Sequence, residues 1–363
     1  MVMARRPGVK TATAPVVAID TILLAQQMAA ALARVPFRRP LSGGQAPLSN
    51  LGTAVTRETI RSFMGYMTSL PIPEFRSMEL LVDELCRAVM PPVVRRFDVR
   101  SRQTELGGVP GILYRPRHES PRGVVLYLHG GGYIGTSPAM YAFFTVRLCH
   151  ETGCAVFVAD YRLAPEFPFP AGVEDAAAVL HALVECGIPP ERLLVAGDSG
   201  GAGLVNTLLL AAPSDVAVVR PAGLILFSPE VDLRLDEPSV TGNAKYDILP
   251  WNIPTASYLH GVDASSAYVS PVNADLEGFP PTCMSWGAEE MFRDPIRRFA
   301  DRLRQAGVHT LAHEAPGMFH VFPILMPWAE ASREVYRHVG GFVQGILEHA
   351  PALDGGTFDT LFP

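Results

Sequence analysis

Apolar residues follow two different rhythms along this chain. Up to about residue 90 they recur at helical spacing: Ile19, Leu23, Leu24, Met28, Ala31 and Leu32 share one face of a helix predicted over 17–35, which Pro36 ends. After a loop rich in Pro, Ser and Gly over 39–52, two further helices are predicted over 56–70 and 74–90, parted by Pro71-Ile72-Pro73. From residue 93 the rhythm changes. Residues 93–99 alternate, 111–114 can pair with them, and 123–128 is a continuous apolar run. Strands over 155–159, 193–196, 224–227, 282–285 and 310–314 then alternate with helices over 171–185, 202–210, 295–307 and 327–348. This order predicts an α/β protein with a mostly parallel eight-stranded sheet flanked by helices, its ligands bound at the carboxyl ends of the strands.

Residues 230–281 break the alternation with Pro, Asn, Asp and aromatic residues, and read as an insertion crossing above the sheet. The expected organisation is a disordered tail over 1–15, an N-terminal helical cap region over 16–92, and a core over 93–229 and 282–350. The insertion over 230–281 joins the cap, and 351–363 form a C-terminal tail. The stripe Ile60, Phe63, Met64 and Met67 either packs helix on helix or lines an apolar pocket. Ninety helical residues before the first strand favour a cap over a site.

Composition narrows the function. A net charge of -6 in 363 residues, with basic residues clustered only as pairs, argues against nucleic acid as a partner. Cys86, Cys149, Cys154, Cys186 and Cys283 are odd in number and form no CxxC, so they read as reduced buried thiols, with no metal site implied. Arg5-Arg6 precedes an alanine-rich stretch, but Asp20 and Gln26-Gln27 interrupt it. No uninterrupted apolar run reaches the ~18 residues of a membrane span. A cytoplasmic enzyme is expected.

The candidate chemistry begins at Gly197-Asp198-Ser199-Gly200-Gly201, which follows the apolar run 193–196 and opens a run of small residues. GxSxG between strand and helix is a nucleophile elbow. The turn is so tight that only residues without bulk fit beside the serine, and Ser199 stands alone above the sheet at a helix N-terminus. A second glycine loop, His129-Gly130-Gly131-Gly132-Tyr133, follows the strand ending at Leu128. Consecutive glycines let backbone N–H groups converge, as an oxyanion hole requires; a phosphate loop would carry GK[ST] or GxGxxG, and neither is present.

With Asp160-Tyr161-Arg162-Leu163-Ala164-Pro165-Glu166, Phe169-Pro170-Ala171 and the late Gly317-Met318-Phe319-His320, the chain resembles the hormone-sensitive-lipase-like (family IV) esterases of the α/β-hydrolase superfamily over roughly residues 93–343. The resemblance implies the α/β-hydrolase fold with a helical cap. It also implies a carboxylesterase, nucleophile Ser199, and oxyanion donors on Gly130, Gly131, Gly132 and Gly200. The family usually has alanine where Gly200 stands, and the N-terminal extension is longer than its usual cap.

A serine needs a base near neutral pKa. Among ten histidines His320 fits best: it sits in a loop after the last strand, and the chain order serine, acid, histidine is that of α/β-hydrolases. His129 belongs to the glycine loop, and His309 and His313 flank or lie in the final strand. The acid that fixes the imidazole tautomer is one of Glu289, Glu290 and Asp294. The family's late segment, laid on 287–295, puts it at Glu290. Asp198 and Asp175 are expected to orient loops and helices. Phe63, Met64, Tyr66, Tyr133, Trp251 and Phe319 are the expected pocket lining.

The reading is a cofactor-free serine hydrolase of small to medium acyl esters or lactones, with a homodimer as a further expectation. An amidase or deacetylase, or a lyase or cyclase on the same scaffold, is the rival within enzymes. A receptor-like binding protein is the rival outside them, and the presence of His320 argues against it.

Overall fold

The computed structural model describes residues 8–37, 47–210, 219–250, 253 and 255–351. Three helices come first: α1 (Ala14–Arg34), α2 (Pro47–Met67) and α3 (Ile72–Arg96). Eight strands follow: β1 (Val99–Leu106), β2 (Val109–Pro116), β3 (Val124–Leu128), β4 (Ala155–Ala159), β5 (Leu193–Asp198), β6 (Gly223–Phe227), β7 (Thr282–Gly287) and β8 (Thr310–Ala315). They form one sheet in the order β1-β2-β4-β3-β5-β6-β7-β8, parallel except that β2 runs against both β1 and β4. Helices α4 (Ala142–Thr152), α5 (Ala171–Glu185), α6 (Ser199–Leu210), α9 (Arg293–Gln305) and α11 (Glu330–Leu347) cover the two faces. Short α7 (Pro238–Gly242), α8 (Thr255–Leu259) and α10 (Phe322–Leu325) lie in the connections.

The central strands are buried from end to end, because helices cover both of their faces. Each fully buried Val or Leu there contributes roughly 1.5–3 kcal/mol. On one face α5, α6 and α9 supply Leu180, Leu183, Val205, Phe299 and Leu303; on the other α4 and α11 supply Phe144, Leu148, Val339 and Val343. The charged, largely exposed β1 closes one edge of the sheet.

Several boundaries differ from the sequence reading, and α2 begins at Pro47, inside the stretch expected to be a loop over 39–52 and well before the helix start expected at 56. Residues 93–96 belong to α3 and not to a strand, and β1 begins only at Val99. Met90, Val93, Val94 and Phe97, spaced i, i+3, i+4, i+7, pack as one helical face on the core, and that burial outweighs the two hydrogen bonds lost at Pro91 and Pro92. Helix α1 starts at Ala14, inside the stretch expected to be a tail. Helix α4, the crossover that parallel β3 and β4 require, has seven of its eleven residues buried and so shows little amphipathic contrast in sequence.

Among the described residues one helix, α1, is apolar over a long stretch without forming the uninterrupted run a span was expected to need. Asp20 and the glutamines interrupt its apolar run, yet over 21 residues it is long and apolar enough to cross a membrane by length and composition alone. Ile19 (57%), Ile22 (59%) and Leu32 (50%) are exposed on it. The three N-terminal helices meet at Met67, Phe75 and Met78, with Val17, Leu24, Phe63, Leu70 and Leu81 around them.

Candidate active site

Strand β5 ends at Asp198 and α6 begins at Ser199, whose φ of 50° is the left-handed conformation a side chain rarely adopts. The neighbours explain why it is tolerated. A Cβ on Gly197 would lie 2.8 Å from the carbonyl oxygen of Leu128, and one on Gly201 only 2.1 Å from the same atom. Strand and helix can therefore cross this closely only without side chains. At Gly200 a Cβ would sit 3.2 Å from the ring and the backbone nitrogen of Tyr133, a tight fit that any side chain there would have to relieve by a small shift of Tyr133.

The glycine loop after β3 is held from below. The Gly130 N–H donates to Asp198 Oδ1 (2.8 Å), and the hydroxyls of Tyr127 (2.7 Å) and Tyr141 (2.9 Å) donate to the same carboxylate. Burial pushes Asp198 up to about 6 against these three bonds. Gly130 is thus a fastening point, and its assignment as an oxyanion donor is corrected: its N–H is already committed. Gly131 (φ 119°) and Gly132 (φ 60°) continue the loop in the left-handed backbone region that favours glycine, and Gly200, second residue of α6, has no i−4 helical acceptor. His129 orders the loop as expected, its Nδ1 2.8 Å from Thr136 Oγ1 and its ring stacked on Tyr161. Asp175 likewise orients, accepting from the N–H and Nε of Arg162.

His320 comes from the loop after β8, where Gly317 (φ 70°) makes the turn. Its Nε2 lies 2.8 Å from Ser199 Oγ, and its Nδ1 lies 3.6 Å from Glu290 Oε2. Phe292 meets the imidazole edge-on at 5.1 Å and limits its rotation. Both Glu290 and His320 are buried. Burial pushes the Glu290 carboxyl up to about 8, opposed by hydrogen bonds from Ser228 and the Gly287 N–H. Burial also lowers His320, opposed by the charges of Asp247 and Asp198. The dry site thus resists charge on either partner alone.

The other acids considered are occupied elsewhere. Asp294 takes the N–H of Ser239 and the guanidinium of Arg293, which hold it below the usual carboxylate range despite partial burial. Glu289 is half-buried, with its N–H on the carbonyl of Met318.

Asp247 was not foreseen. Its carboxylate accepts from the N–H groups of Ile248 (2.7 Å), His320 (2.9 Å) and Met291 (2.6 Å), tying the backbone of His320 to the residue after Glu290. Burial pushes it up to about 6. The only local signal was an acid set before the apolar pair Ile248-Leu249 in an irregular stretch. Nor did any spacing mark Glu230, whose N–H donates to the Ser199 carbonyl (3.1 Å). Burial pushes the Glu230 side chain up to about 8, and its Oε1 has no hydrogen-bond partner.

Of the expected pocket lining, Tyr133 is beside the serine, buried and stacked on Tyr258 of α8 at 3.8 Å. Three assignments are corrected. Phe63 packs with Met67, Phe75 and Met78 between the N-terminal helices. Tyr66 donates to Asp20 of α1, because a phenol among apolar helices needs an acceptor. Phe319 is fully buried in the core beneath the sheet. Met64 is half-buried on α2, and Trp251 lies outside the described residues.

The N-terminal helices reach this site directly. Arg76 of α3 donates to the carbonyls of Ile134 (2.6 Å) and Ala164 (2.8 Å), and pairs with Glu166 and Glu79. Arg61 of α2 donates to the carbonyl of Asp247 (3.1 Å).

A strained serine on a strand-to-helix elbow, an imidazole in contact with it and a buried carboxylate behind the imidazole define a serine hydrolase of the α/β type. Residues 125–324 match the family model described as alpha/beta hydrolase fold, and the chain belongs to that family, in its hormone-sensitive-lipase-like branch of carboxylic ester hydrolases. It is 36% identical over 237 residues to an acetyl-hydrolase of Streptomyces hygroscopicus, covering 63% of this chain and 78% of that one. To an esterase of Acinetobacter venetianus it is 29% identical over 271 residues, covering 73% and 88%. Among solved structures, the hormone-sensitive-lipase homologue EstE7 from a metagenome library superposes with a TM-score of 0.65 at 32% identity, covering 75% of this chain and 98% of EstE7. An esterase from the bacterial hormone-sensitive lipase family gives 0.66 at 26% identity, covering 93% and 100%.

Proposed function

We propose that Ser199 is the nucleophile, His320 its general base and Glu290 the acid, in a two-step acyl transfer on small to medium acyl esters or lactones. The observation that carries the assignment is the 2.8 Å contact between His320 Nε2 and Ser199 Oγ. Ser199 Oγ attacks the carbonyl carbon while its proton passes to Nε2. The N–H groups of Gly131, Gly132 and Gly200 receive the developing oxyanion. The imidazolium then protonates the leaving alcohol. Water deprotonated by His320 attacks the acyl-enzyme and frees the acid. During both steps the Glu290 carboxylate accepts from Nδ1–H and stabilises the positive ring.

The size preference rests on the Tyr133–Tyr258 stack, which stands against Gly200 and narrows the space beside the serine. The acetyl-hydrolase named above supports the same reading. Helices α1–α3 and residues 230–281 act as a cap, a role supported by Arg76 on the glycine loop's Ile134 and by Arg61 on Asp247. A cytoplasmic location is supported by the five free cysteines, and fractionation tests it. A homodimer through the open edge of β8 is supported by the exposed Leu311, and sedimentation tests it.

A series of p-nitrophenyl esters from acetyl to palmitoyl tests the substrate class. We expect kcat/KM to peak between acetyl and hexanoyl and to fall at least tenfold by palmitoyl. A maximum at the long end overturns the size assignment.

A further inference from the structure

Away from the serine, the fold brings together three metal-ligating side chains that are far apart in sequence. His313 lies on β8, and Glu334 and His338 lie one turn apart on α11. One ligand atom from each lies within 4.8 Å of the other two. The two imidazoles meet edge to face at 4.9 Å, and Nδ1 of His338 is buried without a hydrogen-bond partner. A buried ring nitrogen left without a partner needs an explanation, and an ion supplies one.

We propose that His313, Glu334 and His338 form a site for a divalent first-row transition ion of the zinc type, clipping the edge strand β8 to α11. Two imidazoles and one carboxylate suit such ions, whereas calcium and magnesium prefer all-oxygen shells. Around an ion with bonds of about 2.0–2.2 Å, the ligand atoms must close by roughly 1 Å, through small side-chain rotations of His313, Glu334 and His338 together. All three residues are half-buried, so an ion can enter from solvent, and a fourth position is left for water. The clip joins the edge strand to the C-terminal helix, and seven residues after His313 the same segment carries His320. Its expected effect is on stability, since an ion that binds only the folded chain raises the thermal midpoint.

The test uses the untagged full-length protein, stripped with EDTA and dialysed. Titration with Co(II) should give visible d–d bands saturating at one ion per chain, displaced by Zn(II), and Zn(II) should raise the thermal midpoint. His338→Ala and Glu334→Gln should each weaken the ion by at least about tenfold and abolish the midpoint shift. His181→Ala, on the unrelated α5, should change neither. Turnover of p-nitrophenyl butyrate reports that each variant is folded; if His338→Ala fails this check, the half-exposed Glu334→Gln decides. Absence of binding at millimolar Co(II), or one-ion binding that survives Glu334→Gln, overturns the proposal.

Discussion

Replacing Glu290 by glutamine and Asp247 by asparagine separates the two buried carboxylates near His320, one at its ring Nδ1 and the other on its backbone N–H. Charge alone does not distinguish them, because Asp247 also raises the imidazole's affinity for a proton. Hydrogen-bond geometry does: both oxygens of Asp247 are taken by three backbone N–H groups, whereas Glu290 Oε2 faces Nδ1 at 3.6 Å and Oε1 has no partner. At an effective dielectric near 20, a carboxylate at that separation stabilises an imidazolium by about 4 kcal/mol. At 1.36 kcal/mol per decade this is roughly a thousandfold in kcat. Glu290→Gln should therefore lower kcat by about three decades, with KM little changed and no loss of stability, since a carboxyl strained by burial is removed. Asp247→Asn turns an amide NH2 toward backbone N–H groups and leaves at least one buried donor unsatisfied. It should cost roughly 1–3 kcal/mol in urea unfolding, with a smaller fall in kcat. Steady-state kinetics on p-nitrophenyl butyrate, paired with urea melts, read both effects. A thousandfold loss in Asp247→Asn at unchanged stability, beside a mild effect of Glu290→Gln, would refute the reasoning and make Asp247 the acid.

Three further outcomes follow from the same contacts. Because burial lifts Glu290 to about 8 and lowers His320, kcat/KM should rise with pH along a limb whose apparent pKa lies above 7 and belongs to the pair; a limb centred below 6 would contradict this. The Glu230 carboxyl, lifted by burial from 4.5 to about 8, is neutral when folded and ionised when unfolded between those values, so it weakens the fold progressively as pH rises through that window. Glu230→Gln should thus gain nothing near pH 4 and up to about 3 kcal/mol at pH 7; a gain independent of pH in urea melts would count against it. Arg76→Met takes the Arg76 cation from half-buried Glu79 and Glu166 and leaves the carbonyls of Ile134 and Ala164 without that donor, and should cost roughly 2–3 kcal/mol. It should also lower kcat/KM by about tenfold as the glycine loop loses its tie at Ile134; full activity would show that the N-terminal helices do not hold that loop.

The parts of this protein that were legible in its sequence are those where the physics forbids substitutes. Gly197 and Gly201 have no room for a Cβ, and the continuous apolar runs of β3 to β6 can only be strands covered on both faces. That His320 lies against Ser199 was legible because chain order points to a histidine in a late loop. What escaped was set by packing between distant segments. Residues 93–96 satisfy both an alternating and a helical pattern, and only burial on the core decides for α3. Helix α4 hides because nearly every side of it is covered. Counting glycines could not reveal that Asp198 already holds the N–H of Gly130. Phe63, Tyr66 and Phe319 have the composition of a pocket, yet each has a packing or hydrogen-bonding partner elsewhere. Asp247 and Glu230 come from irregular connections, and Tyr258 from the five-residue α8, all too short to show a period.

The proposed chemistry passes through a covalent intermediate at one hydroxyl, that of Ser199. Rapid acid quench of the enzyme during turnover of p-nitrophenyl butyrate, followed by peptide mass spectrometry, tests it most directly. The butyryl mass should appear on the peptide containing Ser199, matched by a burst of one nitrophenol per chain, and both should vanish in Ser199→Ala and His320→Gln. A butyryl group on any other residue, or undiminished turnover by Ser199→Ala, would contradict it.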